Sequence, residues 1–371
     1  MIYFDNAATT FPKPPEVSRA VLKCLSSCGN PGRGAHALSL AAAELLYECR
    51  CEAAALFGVS EPERILFTLN TTHALNQAIW GTFRPGDHVL CSELEHNAVR
   101  RPLEALAHTG DFSFDTFPVL GLSVAGILDG IEKRLTEKSA GIVCIQSSNI
   151  CSVTLPVQEI GALCRARGLR FIVDAAQSAG HLPIRMESDG IDLLCAPGHK
   201  GLYGPQGCGI LALGPGVTLR PLLTGGSGVD SRSPFMPDLP PERYEAGTLP
   251  TPAIAGLLSG LHFLREIGLS EIREREEKLF SQALSRLSEI PGIKIYCPEH
   301  PGPVLLFNRE GIESTDLSTY LDSCGICTRA GLHCAPLAHE ALNTPPGGAV
   351  RLSFGAFNTI AELDALYAAL K

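Results

Sequence analysis

From residue 65 to residue 213, short apolar runs alternate with helical patterns, and that alternation limits the chain to few folds. Seven runs read as strands: 64–67, 88–91, 112–117, 141–146, 170–173, 193–196 and 209–213. Connections of helix length cannot close hairpins. They build βαβ units, and so a mostly parallel sheet. The expected class is α/β: a mostly parallel seven-stranded sheet in a large domain, with a smaller α+β domain. With 371 residues the chain is long enough for both.

Around this core, residues 14–56 read as mostly helical, broken by a loop at Asn30-Pro31-Gly32-Arg33-Gly34. A Gly-, Ser- and Pro-rich loop covers 224–240. Residues 251–287 then read as one long helical region, whose charged run at 271–278 is expected to face solvent. From Gly292 the alternation returns, and a helix near 360–370 closes the chain. The net charge of -9 argues against nucleic acid or an anionic membrane as a partner. No apolar stretch approaches the ~20 residues that span a bilayer. The start, Met1-Ile2-Tyr3-Phe4-Asp5, has neither a basic region nor an apolar core, so a cytoplasmic protein is expected. Fourteen cysteines then read as buried, reduced thiols and not as a disulfide framework. Cys324-Gly325-Ile326-Cys327 has zinc-knuckle spacing but no second half nearby, so no metal is expected.

Three segments carry chemistry. In Ala196-Pro197-Gly198-His199-Lys200-Gly201, a turn at the end of an apolar run presents a lysine. A desolvated lysine loses its proton easily and can form a Schiff base with an aldehyde; the plain alternative is a solvated surface lysine. Asp174 ends the run Phe171-Ile172-Val173, 26 residues before Lys200. Strand carboxyl ends are where open parallel sheets bind ligands. A buried carboxylate there needs a cation, and the pyridinium of pyridoxal phosphate is one such cation. The alternative is a helix cap. Thr71 and Thr72 follow the strand 64–67 and open a helical pattern, the arrangement of an anion seat or of an ordinary N-cap.

With these residues in view, the chain resembles the class V aminotransferase group of fold-type I pyridoxal-phosphate enzymes, and within it the cysteine desulfurases of type II. The resemblance runs from Tyr3-Phe4-Asp5-Asn6-Ala7-Ala8-Thr9-Thr10 to Arg351-Leu352-Ser353-Phe354-Gly355, and is closest at Gly198-His199-Lys200 with Tyr203-Gly204-Pro205. It implies a large cofactor domain at 12–255 and a small domain formed by 1–11 and 256–371. It also implies a set of roles. Lys200 carries the cofactor, and Asp174 faces its ring nitrogen. His96 stacks on the ring and moves protons. Gln177 meets the phenolic oxygen, and Thr71, Thr72 and His199 seat the phosphate. Thr248 reaches the phosphate of a partner subunit, which makes the protein a homodimer. Asn149, Arg329 and Arg351 hold the substrate.

The segment Arg329-Ala330-Gly331-Leu332-His333-Cys334-Ala335-Pro336 resembles the active-cysteine loop of that group. By resemblance, Cys334 attacks the sulfur of L-cysteine, alanine leaves, and a persulfide remains for a sulfur or selenium acceptor protein. Arg351, 17 residues later, matches the carboxylate-gripping arginine. Three other readings stay open: a selenocysteine lyase acting on L-selenocysteine, another class V aminotransferase or lyase, and a scaffold without activity. Four positions depart from the family pattern. Ser152 stands where a glycine is usual, so a positive φ there carries strain. Pro197 replaces a phosphate-binding hydroxyl, and His73 replaces a glutamate. Leu332 replaces a histidine, and is expected to make the surroundings of Cys334 more apolar.

Overall fold

The structure, a computed structural model, describes residues 1–32 and 34–371. Arg33, in the expected loop at 30–34, lies outside the described residues. The chain begins with β1 (Ile2–Tyr3), α1 (Pro15–Ser27) and α2 (Ala37–Phe57). The alternating region follows as β2 (Ile65–Thr68), α3 (Thr71–Thr82), β3 (His88–Ser92), α4 (Asn97–Ala107), β4 (Ser113–Phe117), α5 (Val124–Glu132), β5 (Ser139–Ile145), α6 (Val157–Arg167), β6 (Arg170–Asp174), β7 (Leu193–Pro197) and β8 (Gly209–Leu213). All seven expected strands form, and β8 has the expected bounds.

These strands make one sheet in the order β2-β8-β7-β6-β5-β3-β4. Every pairing from β7 to β4 is parallel, and β8 runs antiparallel to both of its neighbours. Because β8 reverses direction between them, β2 points the same way as β7. The carboxyl ends of β2, β3, β5, β6 and β7 therefore share one edge. Alternate side chains supply two cores on opposite faces. Ile142, Cys144, Phe171 and Val173 pack in one, and Val143, Ile172 and Cys195 in the other. Burial on both faces explains why these strands read as continuous apolar runs.

The expected long helix divides at Gly268, whose φ of 85° ends α7 (Thr251–Ile267) before α8 (Leu269–Ser288). The expectation that residues 271–278 face solvent fails at one position. Glu276 is 1% exposed, on the same helical face as Ile272, Leu279, Phe280 and Ala283. His181 lies 2.9 Å from its carboxylate and offsets the buried charge.

The remainder is β9 (Ile293–Tyr296), β10 (Val304–Arg309), α9 (Ser314–Ser323), β11 (Ile326–Cys327), β12 (Arg329–Gly331), α10 (Pro336–Ala341), β13 (Ala349–Ser353) and α11 (Ile360–Leu370). An antiparallel sheet runs β12-β13-β10-β9. One face carries a third core, with Leu305, Phe307, Val350 and Leu352 against Phe280, Leu321 and Leu366. β1 pairs with β11 in a separate two-stranded sheet, and Asp5 bridges to Ser353 of β13, which brings the N-terminal residues to the antiparallel sheet. Among the described residues, no helix is long and apolar enough to cross a membrane.

Candidate active site

The shared carboxyl edge gathers the expected cofactor residues around one cavity. It is lined by Asn70, Thr71, Thr72, His96, Asn149, Asp174, Gln177, Pro197, His199 and Lys200, among others. α3 starts here, capped by the Asn70 carboxamide, which accepts from His73 N at 2.9 Å. A capped helix start presents free N–H groups and the positive end of its dipole, the ordinary requirements of an anion seat. Thr71 Oγ1 and His199 Nδ1 are buried there without partners. Pro197 offers no hydroxyl, so the polar groups at this end come from α3 and His199. His73, at the position of the usual glutamate, braces the same turn by accepting from Leu69 N at 3.2 Å.

Asp174 ends β6 and is buried. Burial pushes its carboxyl up to about 6, although a hydrogen bond from Ala176 N and the charge of Lys200 pull it down. Lys200 lies three residues beyond β7 and is partly buried, so it is not the solvated lysine of the plain alternative. Loss of hydration lowers its amine to about 8, against the pull of Asp174. At neutral pH a useful fraction of such an amine is unprotonated. His96 precedes α4, and its Nδ1 accepts from Ala98 N at 3.0 Å. Burial, then Lys200 and Arg351, hold its pKa at about 4, so the ring is neutral. Gln177 donates one amide hydrogen to Ala7 O at 3.0 Å and keeps the other free. Below these groups Glu95 accepts from Ser92 Oγ and Ile145 N. Burial raises it to about 8, which leaves Asp174 as the anion of the pair.

On the second sheet, Arg351 is buried on β13 with Arg329 of β12 directly opposite. Arg351 donates to Asn149 O at 3.0 Å and to Asp5 Oδ1 at 3.1 Å, and its Nε has no partner. Arg329 turns to Asp5 and grips it at 2.7 to 3.1 Å. Both arginines thus donate to Asp5, and Arg351 alone keeps a buried nitrogen, Nε, without a partner. Asn149 donates to His333 O at 2.9 Å and leaves Oδ1 buried and unpaired.

Cys334 is exposed in the loop between β12 and α10. Its carbonyl accepts from Asn97 N at 2.7 Å, which pins the loop to the start of α4. It lines a groove with Thr72, His96 and Arg101, and Thr72 and His96 also line the Lys200 cavity. The two spaces therefore adjoin. Leu332 is 41% exposed, and Cys334 is exposed too. Ser152 does adopt the strained conformation, with φ 54°. Its hydroxyl accepts from Val304 N at 2.9 Å and donates to Val304 O at 3.0 Å.

Thr248 is absent from the lining of this cavity. It is exposed, in a separate crevice with Arg50, Glu245 and Gly226. Asp5, Asn70 and Glu95 are site residues that the sequence reading passed over. Asn70 alone had a local signal, an N-cap residue ahead of the Thr pair.

The family described as aminotransferase class-V matches residues 2–366. A protein of Methanothermobacter thermautotrophicus named "Probable cysteine desulfurase" is 34% identical, over 98% of this chain and 92% of its own length. The cysteine desulfurase of Serratia proteamaculans is 31% identical, over 100% of this chain and 93% of its own. The apo structure of the cysteine desulfurase from Thermococcus onnurineus superposes with a TM-score of 0.90 at 30% identity, covering 99% of this chain and 93% of that one.

Proposed function

We propose that this chain, which belongs to the class-V aminotransferase family, is a pyridoxal 5′-phosphate-dependent cysteine desulfurase. It converts L-cysteine to L-alanine and keeps the sulfur as a persulfide on Cys334. The observation that carries this reading is the junction of two spaces. The groove that holds an exposed thiol adjoins the cavity that holds a partly buried lysine, a buried aspartate and a helix start. The names of the aligned relatives agree with it.

The unpaired atoms of the cavity suit the cofactor. Thr71 Oγ1, His199 Nδ1 and the start of α3 fit a phosphate, and Asp174 fits a protonated ring nitrogen. When bound at Lys200, the cofactor supplies an electron sink for the bonds at the substrate Cα. The rest falls to side chains. Arg351, whose buried Nε lacks a partner, and the unpaired Oδ1 of Asn149 orient the substrate carboxylate and amine. Lys200, with its lowered pKa, moves the Cα proton. Cys334 as thiolate attacks the substrate sulfur; a sulfur–sulfur bond forms, the carbon–sulfur bond breaks, and alanine leaves.

The same reading makes the protein a homodimer in which Thr248 completes the partner's phosphate seat. Phe235 and Leu239, 82% and 73% exposed in the loop before Thr248, support a covered surface there. It divides the chain into a cofactor domain at 12–255 and a small domain of 1–11 and 256–371, consistent with the seven-stranded sheet lying wholly within the first and the two- and four-stranded sheets within the second. It places the enzyme in the cytoplasm, where fourteen free thiols stay reduced, handing sulfur to an acceptor protein at the Cys334 groove.

The test is anaerobic alanine release from L-cysteine and L-selenocysteine by the wild type, Lys200→Ala and Cys334→Ala. The expected result is turnover of L-cysteine that both substitutions abolish. Full cysteine turnover by Cys334→Ala would overturn the assignment of the thiol. Strong wild-type preference for L-selenocysteine would make the enzyme a selenocysteine lyase.

A further inference from the structure

The loop of Cys334 rests on a chain of hydrogen bonds that the chemistry above does not use. Thr344 Oγ1 lies 2.9 Å from His339 Nδ1. His339 Nε2 lies 3.1 Å from His333 Nδ1, and His333 Nε2 lies 3.1 Å from Arg329 O. The two rings stack at 5.3 Å with 14° between their planes. Burial and the charge of Arg351 hold His333 at about 3 and His339 at about 4, so both rings are neutral near pH 7.

Neutrality fixes every proton in this chain. A carbonyl only accepts, so His333 Nε2 carries hydrogen and His333 Nδ1 is bare. His339 Nε2 must then be the donor to it, and the bare His339 Nδ1 accepts from the Thr344 hydroxyl at 2.9 Å, nearer than the His339 carbonyl, the other acceptor of that hydroxyl, at 3.3 Å. All donors point one way, from Thr344 toward Arg329. Neither ring has a free nitrogen with which to act as a base. The pair works as a strut.

What it supports is strained. His333 and Cys334 both have left-handed backbones, with φ 49° and 55°, and neither is glycine. Such conformations persist only where the surroundings over-determine them. The His333 carbonyl is held by Asn149 and the Cys334 carbonyl by Asn97. The His333 ring is held by His339, itself 2% exposed on α10.

We propose that His339 is a positioning residue: its Nε2–H sets the tautomer and orientation of His333, and so the turn that presents the Cys334 thiol. The kinetic consequence rests on the desulfurase reading; the structural one does not. The His333 ring faces Arg351, Arg329 and His339. Freed from His339, it loses its fixed orientation, and the strained turn keeps only the two carbonyl contacts to Asn149 and Asn97.

The test compares the wild-type holoenzyme with His339→Phe, which keeps a ring without a donor, and His339→Gln, whose amide can donate to His333. His339→Asn, too short to reach His333, stands in for Phe should that variant not fold. Two quantities are read: kcat and KM for L-cysteine, and the pH profile of Cys334 alkylation by iodoacetamide, followed by mass spectrometry of the Cys334 peptide. His339→Phe is expected to lower kcat about five- to tenfold at unchanged KM, the effect of one lost hydrogen bond. Its Cys334 alkylation rate is expected to differ from wild type by about threefold or more across the pH range, because the turn no longer presents the thiol in one orientation. His339→Gln is expected to stay within about twofold of wild type in both kcat and alkylation rate. A Phe variant with the wild-type alkylation profile overturns the proposal. So does a Gln variant as impaired as the Phe variant, which would reduce the role to packing. Should the wild type release no alanine, the desulfurase reading falls, and the alkylation profiles still decide the role of His339.

Discussion

Ser152 sets two effects of opposite sign against each other at one residue. Its φ of 54° favours glycine, and a non-glycine residue there costs about 1 kcal/mol. On strain alone, Ser152→Gly should stabilise the protein. The hydroxyl opposes this. β9 ends at Tyr296, opposite Leu306, so it does not reach Val304, and Ser152 Oγ takes the place of the missing strand by meeting both Val304 N and Val304 O. Val304 is buried, and each buried backbone group left unpaired costs about 1–3 kcal/mol. Removing the hydroxyl alone, as Ser152→Ala, should cost about 2–4 kcal/mol. Ser152→Gly regains about 1 kcal/mol of that and should still lie about 1–3 kcal/mol below wild type. The assay is the urea midpoint of the three proteins as holoenzymes, measured side by side. The expected order is wild type, then Gly, then Ala. A glycine variant as stable as wild type would refute the reasoning, because it would mean that the clip across the two sheets contributes less than the strain it requires.

Two further outcomes follow from buried charge. Arg50 meets Glu245 through two bonds of 2.9 and 2.7 Å with both side chains nearly inaccessible, so Arg50→Ala should cost about 3–5 kcal/mol by stranding the carboxylate. Replacing both residues with Met should recover most of that loss in urea unfolding, and a double variant as weak as the single would exclude the mechanism. His96, His199, His333 and His339 have folded pKa values of about 4, 4, 3 and 4, below the ordinary 6.5. The unfolded chain therefore binds protons first, and the stability these groups provide is present above about pH 6.5 and lost as pH falls toward 4. His181, which Glu276 raises despite burial, opposes this, as do the carboxyls of Asp174, Glu95, Glu245 and Glu276, which burial raises and which therefore take up protons first in the folded chain. The histidine share is isolated by removing one ring: the urea midpoint of His199→Gln should fall less than that of wild type between about pH 6.5 and 4.5, and parallel profiles would show that this ring protonates freely in the fold.

The large sheet was legible because its strands are short, apolar on both faces and separated by helix-length connections. Only the ends moved, as where β5 begins at Ser139 and not at 141. The antiparallel β8 was not legible, since an apolar run looks the same in either direction. The charged run at 271–278 was misread for a related reason. Charge density suggests solvent, but a helix buries one face by its 3.6-residue period, and Glu276 falls on the face of Ile272 and Phe280. Periodicity outweighs composition there, and His181, which makes the burial tolerable, lies 95 residues away.

The same distance separates the site residues that could be read from those that could not. Lys200, Asp174, Thr71 and Cys334 sit at ends of elements, in local patterns whose chemistry shows in a few neighbouring letters. Asp5, Glu95 and His339 act only through partners that folding brings to them. Asp5 is an ordinary acid until Arg329 and Arg351 close on it from more than 320 residues away. His339 is an ordinary histidine until α10 stacks it on His333. The groups that meet a ligand are constrained by the ligand and recur in short motifs. The groups that hold them are constrained only by geometry, and in this chain they decide which nitrogen of Arg351 stays unpaired and how the Cys334 thiol is presented.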